Sequence, residues 1–231
     1  MSSFYSAEEL KAIGFASVGE DVSVSRLAAI YSPQKISLGN HVRIDDFVFL
    51  SGGAGVEIGD YVHVAVHASL YGKFGIKIGN YVNISGKVTI FSNSDDYSGE
   101  YMTGPLLGDE FIHDIGGPVV LEDHVIIGAG SLVLPNVVLA EGTAVGAMSL
   151  IKKSTEPFSM YAGIPARKIK ERSRRLKVLE KQFLNQQSAI SNQQSAISNQ
   201  QSAISLIIAH FSMCVHFFMR GGGRHECAVH G

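Results

Sequence analysis

A segment dense in carboxylates, hydroxyls and amides lies between residues 91 and 120 of the chain. The side chains that could do chemistry there are Asn93, Asp95, Asp96, Tyr97, Glu100 and His113. Carboxylates and imidazole accept or deliver protons, and amides and phenols hold polar ligands. A long polar loop inside a regular fold is uncommon and is usually functional. The sequence therefore predicts an acceptor-binding loop that supplies an acid or a base, with a solvated surface loop as the alternative.

The residues on either side of this loop follow a repeat. Val18, Leu38, Ile58 and Ile78 stand 20 residues apart, and each opens a phrase such as Ile58-Gly-Asp-Tyr-Val-His63. Further aliphatic residues follow each of these four at steps of six. A fixed period of this kind indicates a stacked, solenoid-type fold. After the loop the six-residue step continues through Leu121, Ile127, Val133, Leu139, Val145 and Ile151.

The six-residue unit has the pattern of a short strand and a turn. Its first position is a large aliphatic residue and its fifth is mostly small or β-branched, and alternation along a strand sends both to the same side. Three such strands close a triangular coil of 18 residues whose interior holds the aliphatic side chains. The two blocks of repeats predict about six coils of parallel β-helix. A β-sandwich is the alternative, but sandwich strands do not keep one register over so many repeats.

The pattern divides the chain into four parts. Residues 1–17 form an N-terminal helical cap, because Ser6-Ala-Glu-Glu9 has the spacing of a capping box. Residues 18–151 form the β-helix with its loop, and residues 152–184 hold a C-terminal motif and a helix predicted from Pro165 to Leu184. Residues 185–231 begin with three identical copies of a seven-residue unit, which predicts a disordered or weakly helical appendage.

The composition and the C-terminal tail argue against nucleic-acid binding, a membrane span and a zinc site. The net charge of −2 gives no electrostatic case for nucleic acid. The apolar stretch 206–219 has 14 residues, fewer than the roughly 20 that a membrane span needs. Cys214 and Cys227, with nearby histidines, could bind zinc, but the glycines at 221–223 break any preset geometry and favour an accidental extension. Because the repeat region has no cysteine and no apolar signal segment precedes it, we expect a cytoplasmic protein.

Three motifs carry a resemblance to a known family. They are Ile127-Gly-Ala-Gly-Ser-Leu-Val133, Val145-Gly-Ala-Met-Ser149 and Tyr161-Ala-Gly-Ile-Pro-Ala-Arg167. With the hexads and the loop, they resemble the hexapeptide-repeat acyltransferases, especially galactoside O-acetyltransferases and the N-acyltransferases of nucleotide-linked amino sugars. The resemblance implies an all-β, left-handed parallel β-helix with a short N-terminal helix, an excursion loop and a C-terminal helix. It also implies a homotrimer, acetyl-CoA or another acyl-CoA as donor without a metal, and a role in surface polysaccharide synthesis.

The resemblance also implies where the donor binds. Family members hold the pantetheine arm in a groove between subunits, against main-chain groups of the C-terminal coils. Ala129 and Ala147 match those positions, and their small side chains let a cofactor approach the backbone. The adenine and phosphates lie beyond the last coil, where cations make charge-assisted contacts with phosphate oxygens. The matching basic residues are Lys152, Lys153, Arg167 and Lys170.

The chain departs from the galactoside-type pattern at the catalytic position. Those members carry a histidine that serves as base for a sugar hydroxyl, and alignment puts Asp95 in its place. An aspartate, with an ordinary pKa of about 3.9, is a weak base for a hydroxyl, whereas a neutral amine is already nucleophilic. We therefore expect an amino-sugar acceptor positioned by Asp95 and Glu100, with His113 as a possible base from the far end of the loop. Asn93, Asp96, Tyr97 and Ser85 are the predicted acceptor-binding residues.

Other functions stay open at this stage. The first alternative is O-acetylation of a sugar hydroxyl. A γ-class carbonic anhydrase shares the β-helix but needs three histidines on one zinc ion, and the spacing of His41, His63 and His67 does not provide that set. A non-catalytic scaffold would not need the polar loop or the basic C-terminal positions.

Overall fold

A computed structural model describes residues 3–219 of the chain, with side chains described as far as residue 208. Residues up to Arg174 form one compact unit, and the chain from Arg175 onwards forms another. In the first unit the chain winds into a parallel β-helix whose three faces are sheets. The predicted all-β, parallel β-helical fold is therefore confirmed.

Each sheet stacks one strand from every coil. The first sheet contains β1 (Ser17–Val18), β4 (Ile36–Leu38), β7 (Val56–Ile58), β10 (Ile76–Ile78), β15 (Val119–Leu121) and β18 (Val138–Leu139). The second contains β2 (Ser23–Val24), β5 (Arg43–Ile44), β8 (His63–Val64), β11 (Asn83–Ile84), β16 (Ile126–Ile127), β19 (Ala144–Val145), β21 (Ser159–Gly163) and β22 (Ala166–Glu171). The third contains β3 (Ala29–Tyr31), β6 (Phe49–Ser51), β9 (Ser69–Tyr71), β12 (Thr89–Phe91), β17 (Leu132–Val133) and β20 (Leu150–Ile151).

The register between coils follows the predicted hexads. Ile84 pairs with Ile127, which pairs with Val145, and all three side chains are buried. The same holds for the other two faces, so the interior is a continuous column of aliphatic side chains. Six coils are complete, as predicted, and β21 adds one strand of a seventh to the second sheet.

A ladder of Asn and Asp side chains ties the coils together at the corner between the first and second sheets. The Oδ1 atom of Asn40 accepts from the Glu20 N–H at 2.9 Å, and that of Asp60 accepts from the Asn40 N–H at 2.7 Å. Asn80 and Asp123 repeat the contact one and two coils further on, at 2.8 and 2.7 Å. The Asn or Asp at the third position of these hexads therefore satisfies main-chain donors that the corner would otherwise leave unpaired.

The N-terminal end is closed by the predicted helix. Helix α1 (Ala7–Ile13) starts with the capping box, in which the Ser6 hydroxyl accepts from the Glu9 N–H and the Glu9 carboxylate accepts from the Ser6 N–H. Leu10 is the residue of α1 that is buried against the first coil. Glu9 also pairs with Arg26 at 2.6 Å, which ties the helix to the corner after β2.

The C-terminal end differs from the sequence prediction. Residues 166–171 were predicted as the start of a helix from Pro165, but they form β22, which pairs antiparallel with β21. The reason is the exposed edge left by the last strand of the β-helix, whose main-chain groups need partners. Pairing with β22 supplies them, so the β-helical unit extends past the predicted boundary at residue 151.

The second unit is helix α2 (Arg175–Met219), which runs through all three copies of the seven-residue repeat. Of the two alternatives predicted for the appendage, disordered or weakly helical, the structure has a helix as far as Met219. Side chains from Leu184 to Ile208 are all exposed, so this part of the helix has no packed face. The cysteines and histidines of the tail lie outside the residues whose side chains are described. Within residues 3–219, no helix combines the length and apolarity required to cross a bilayer.

We predict that Ile127→Asp lowers the free energy of unfolding by more than about 4 kcal/mol, because it buries an unpaired charge in the aliphatic column. Ile126→Asp is the matched control, since the neighbouring side chain of the same strand points outward and is partly exposed. Its loss should be several times smaller. Denaturant unfolding at one protein concentration measures both, and equal losses would show that the hexad phase is wrong.

We predict that truncation after Leu184 leaves the melting temperature and turnover nearly unchanged. The described side chains beyond that residue are exposed and bury no apolar surface that the cut would uncover. Thermal unfolding and acyl transfer by the two chains measure the effect. A fall in melting temperature beyond about 5 °C would show that the tail stabilises the fold.

Candidate functional site

The polar loop is anchored where it leaves the β-helix. Ser92 is buried, its hydroxyl donates to the Tyr71 carbonyl at 2.8 Å, and it accepts from the Phe74 N–H at 2.9 Å. The Gly117 N–H donates to the Ser92 carbonyl at 3.0 Å where the chain returns. Between these points β13 (Asn93–Asp95) and β14 (Asp114–Gly116) pair as an antiparallel hairpin stem. The stem fixes Asn93 and Asp95 relative to the third sheet.

A cavity of about 370 Å³ lies between this stem and the third sheet. Its floor is aromatic, since the rings of Tyr71 and Phe91 stack with centroids 4.7 Å apart. Its remaining lining combines polar residues of the hairpin with apolar residues of the next coil. Those residues are Asn93, Ser94, Asp95, Tyr97, Leu132, Leu134 and Pro135. A small, mixed cavity with one exposed carboxylate suits a single polar ring better than an extended ligand.

The other carboxylates at the base of the loop have structural partners. Asp96 accepts from the Ser98 N–H at 2.7 Å and from the Ser98 hydroxyl at 2.9 Å, and these bonds hold the pKa of its carboxyl below the ordinary value. Asp114 forms an ion pair with Lys73, which likewise lowers the pKa of Asp114. Asp96 therefore builds the turn that presents Tyr97, whose side chain is 90% exposed at the mouth of the cavity.

The remaining predicted loop residues lie away from the cavity lining. Glu100 is exposed, and its N–H donates to the Ser98 hydroxyl at 3.1 Å. His113 is exposed and packs against Tyr101, with ring centroids 5.0 Å apart. The stem thus brings Asn93, Asp95 and Tyr97 together but not Glu100 or His113.

The predicted donor positions Ala129 and Ala147 share the corner between the second and third sheets with Ser85, which was predicted to bind the acceptor. The Ser85 N–H donates to the Ile127 carbonyl at 3.0 Å, so Ser85 lies one coil below Gly128 and Ala129. The Met148 N–H donates to the Ala129 carbonyl at 2.9 Å, so Ala147 continues the column on the next coil. Ala129 and Ala147 are exposed, and together they leave a strip of accessible backbone along the corner.

A second cavity, of about 240 Å³, follows the last complete coil and contains three of the four predicted cations. Lys152, Lys153 and Arg167 line it, whereas Lys170 does not. Lys168 also lines it but is tied to Glu156 at 2.7 Å and to Glu171 at 2.6 Å, and these hydrogen bonds raise its pKa. Lys152, Lys153 and Arg167 are exposed.

The histidines of the repeats lie apart from one another. His41 stacks on Tyr61 with centroids 4.5 Å apart, and His67 stacks on Phe47 at 5.0 Å. His63 bonds to Asp45 at 2.8 Å; burial raises the pKa of Asp45, but bonds to His63 and to an arginine outweigh it and lower the pKa overall. Among the described side chains, no three His, Cys, Asp or Glu residues cluster as metal ligands would.

The sequence interpretation missed the aromatic and apolar half of the hairpin cavity. The missed residues occupy outward positions of the third sheet, next to buried aliphatic residues. They are Tyr71, Phe91, Leu132 and Leu134, beside the buried Leu70, Ile90 and Val133. Outward positions of a solenoid are normally polar, so consecutive apolar residues there were an available signal. A larger cavity, of about 680 Å³, lies between α1 and the first coil, but none of the residues predicted to do chemistry lines it.

Comparison with known proteins identifies relatives along most of the β-helical unit. The dTDP-4-amino-4,6-dideoxy-D-glucose acyltransferase of Escherichia coli is 48% identical over 176 residues, which are 76% of this chain and 92% of that protein. The chloramphenicol acetyltransferase of Klebsiella aerogenes is 38% identical, but over only 24% of this chain and 27% of that protein. No protein-family profile matches the chain.

Solved structures also resemble this chain. A mutant of AntD, an N-acyltransferase from Bacillus cereus, was crystallised with dTDP-4-amino-4,6-dideoxyglucose and coenzyme A. It is 48% identical, with a TM-score of 0.78 over 80% of this chain and 100% of that chain. AntD with dTDP and 3-hydroxybutyryl-CoA also has a TM-score of 0.78. A maltose O-acetyltransferase from Clostridium difficile 630, at 21% identity and a TM-score of 0.51, shares the fold.

Proposed function

The chain belongs to the dTDP-4-amino-4,6-dideoxy-D-glucose acyltransferases, a branch of the hexapeptide-repeat acyltransferases, and from that premise we propose that it acylates the amino group of a nucleotide-linked 4-amino-4,6-dideoxy sugar. The observation that carries the proposal is the 48% identity that extends over 92% of the Escherichia coli relative. The complex of AntD with the amino sugar and coenzyme A supports the same pair of substrates. O-acetylation has weaker support, since the maltose enzyme shares only 21% identity.

We propose that the acceptor ring occupies the hairpin cavity with its amine at Asp95. The neutral amine attacks the thioester carbonyl carbon, the C–S bond breaks, and an amide and the CoA thiolate form. During the reaction the amine loses one proton and the CoA thiolate gains one. Asp95 supplies a carboxylate that orients the N–H and can accept that proton. Glu100 and His113 remain predictions, since neither lines the cavity.

The donor is proposed to lie along the corner that holds Ala129 and Ala147, with Ser85, a predicted acceptor-binding residue, one coil below them. The exposed alanines leave main-chain groups accessible to the pantetheine arm, and Ser85 continues the same column toward the acceptor. Lys152, Lys153 and Arg167 line the cavity after the last complete coil and offer positive charge for the phosphates, and Lys170 lies on β22. We propose acetyl as the transferred group. A longer acyl group is the alternative, because AntD was crystallised with 3-hydroxybutyryl-CoA.

The assembly and setting are proposals as well. A corner strip has one wall only, and a cofactor groove needs a second wall, which a neighbouring subunit of a homotrimer would provide. A product of this chemistry is an N-acylated nucleotide sugar, which is the form of donor that surface polysaccharide synthesis consumes. Both co-substrates are water-soluble, which is consistent with an enzyme of the cytoplasm.

We predict that Asp95→Asn lowers kcat by roughly 10²–10⁴ if the carboxylate accepts the proton, whereas a purely orienting role raises KM for the sugar with a smaller change in kcat. Thiol release from acetyl-CoA with dTDP-4-amino-4,6-dideoxyglucose as acceptor measures both constants. Asp109→Asn, a carboxylate of the same loop that is exposed and outside the cavity, is the matched control. Unaltered kinetics in Asp95→Asn would remove the hairpin cavity from the mechanism.

We predict that the active enzyme is a trimer. Light scattering at the concentration used for the assay should give three times the mass of the chain, and dilution that dissociates the trimer should abolish turnover. A monomer that keeps full activity would show that one chain forms the complete donor groove.

A further inference from the structure

The hairpin cavity has an apolar side that the transfer chemistry does not use. The polar residues Asn93, Ser94 and Asp95 come from β13, on one side. Leu132, Leu134 and Pro135 come from the coil above, on the other, and are called the apolar wall below. A cavity divided in this way recognises a ring that is polar on one side and apolar on the other.

The apolar wall is held rigidly by the β-helix. The Leu132 N–H donates to the Ser149 carbonyl at 2.8 Å, and the Leu134 N–H donates to the Ile151 carbonyl at 2.9 Å. Val133 between them is buried in the aliphatic column, so alternation turns both leucines outward toward the hairpin. The main-chain N–H groups of Leu132 and Leu134 are therefore used, Pro135 has none, and the side chains of the wall present only C–H groups to a ligand.

We propose that the apolar wall receives the C6 methyl group of the acceptor and so selects 6-deoxy amino sugars over sugars that carry a 6-hydroxyl. The proposal rests on the proposed function, which puts the C4 amine at Asp95. C5, which bears C6, is the ring atom next to C4, so a ring with its amine at Asp95 holds C6 in the same cavity, which the apolar wall also lines. Phe91 and Tyr71 form an aromatic floor on which the C–H face of the ring can pack.

The physical basis of this selection is desolvation. A 6-hydroxyl pressed against the wall loses hydrogen bonds to water, and leucine and proline side chains carry no group that replaces them. An apolar pocket rejects an added hydroxyl by about 10²-fold in kcat/KM. A cavity of about 370 Å³ leaves little room for the ring to shift away from the wall.

The experiment compares two acceptors that differ only at C6, dTDP-4-amino-4,6-dideoxyglucose and dTDP-4-amino-4-deoxyglucose, with acetyl-CoA as donor. The full-length enzyme should prefer the 6-deoxy sugar by about 10²-fold in kcat/KM. Leu134→Asn, which keeps the size of the side chain and adds hydrogen-bonding groups, should reduce that preference at least 10-fold. Leu132→Asn is a second variant for the case that the first does not fold. Leu27→Asn, at an exposed leucine of the first coil, should leave the preference unchanged.

The outcomes separate this inference from the function on which it rests. Transfer to neither acceptor would overturn the proposed function and the inference together. Transfer to both acceptors at similar kcat/KM would overturn the inference alone. A wild-type preference that persists in folded Leu134→Asn and Leu132→Asn would also overturn it, because the selection would then come from other residues.

Discussion

The stacking of each coil on the next, at one register fixed by main-chain hydrogen bonds, is the constraint on which the rest of the structure depends. It places Ile84, Ile127 and Val145 directly above one another and closes the interior with aliphatic side chains. A filled interior leaves no space for a ligand, so binding residues must stand on outward positions, on corners or on insertions. The apolar wall stands on outward positions, the strip of Ala129 and Ala147 proposed for the donor on a corner, and Asp95 on an insertion.

The same register explains how distant segments meet at one site. Ser85, Ala129 and Ala147 belong to three coils, yet the vertical repeat aligns them along one corner. Phe91 and Leu132 are separated by the whole loop, yet Thr89 pairs with Leu132 in the third sheet and brings both to the hairpin cavity. The loop itself needs an anchor, which the buried Ser92 provides through its bonds to two neighbouring main-chain groups. Precision at the site therefore comes from the rigid solenoid.

The features that follow from the six-residue period were predicted correctly from the sequence, whereas segments outside the repeat were not. The hexads gave the number of coils and the interior residues, because one physical rule acts at every repeat. The segment after Pro165 was wrong, because its structure depends on the unpaired edge of β21, which local composition does not reveal. The hairpin stem was missed within the loop for a similar reason, since Asn93 and Asp114 are far apart in sequence. The polar residues of the loop could be recognised from their residue types. Only the structure shows that Asp95 lines the hairpin cavity and that Glu100 does not.

The identity of the bond formed during transfer tests the proposed function most directly. Acetyl-CoA labelled at its carbonyl carbon, incubated with dTDP-4-amino-4,6-dideoxyglucose and the enzyme, gives a product whose linkage is read by NMR. We expect the labelled carbonyl in an amide on the nitrogen at C4 of the sugar, with one equivalent of free CoA thiol. A labelled ester on a ring hydroxyl, or release of labelled acetate without transfer, would contradict an amino-sugar N-acyltransferase.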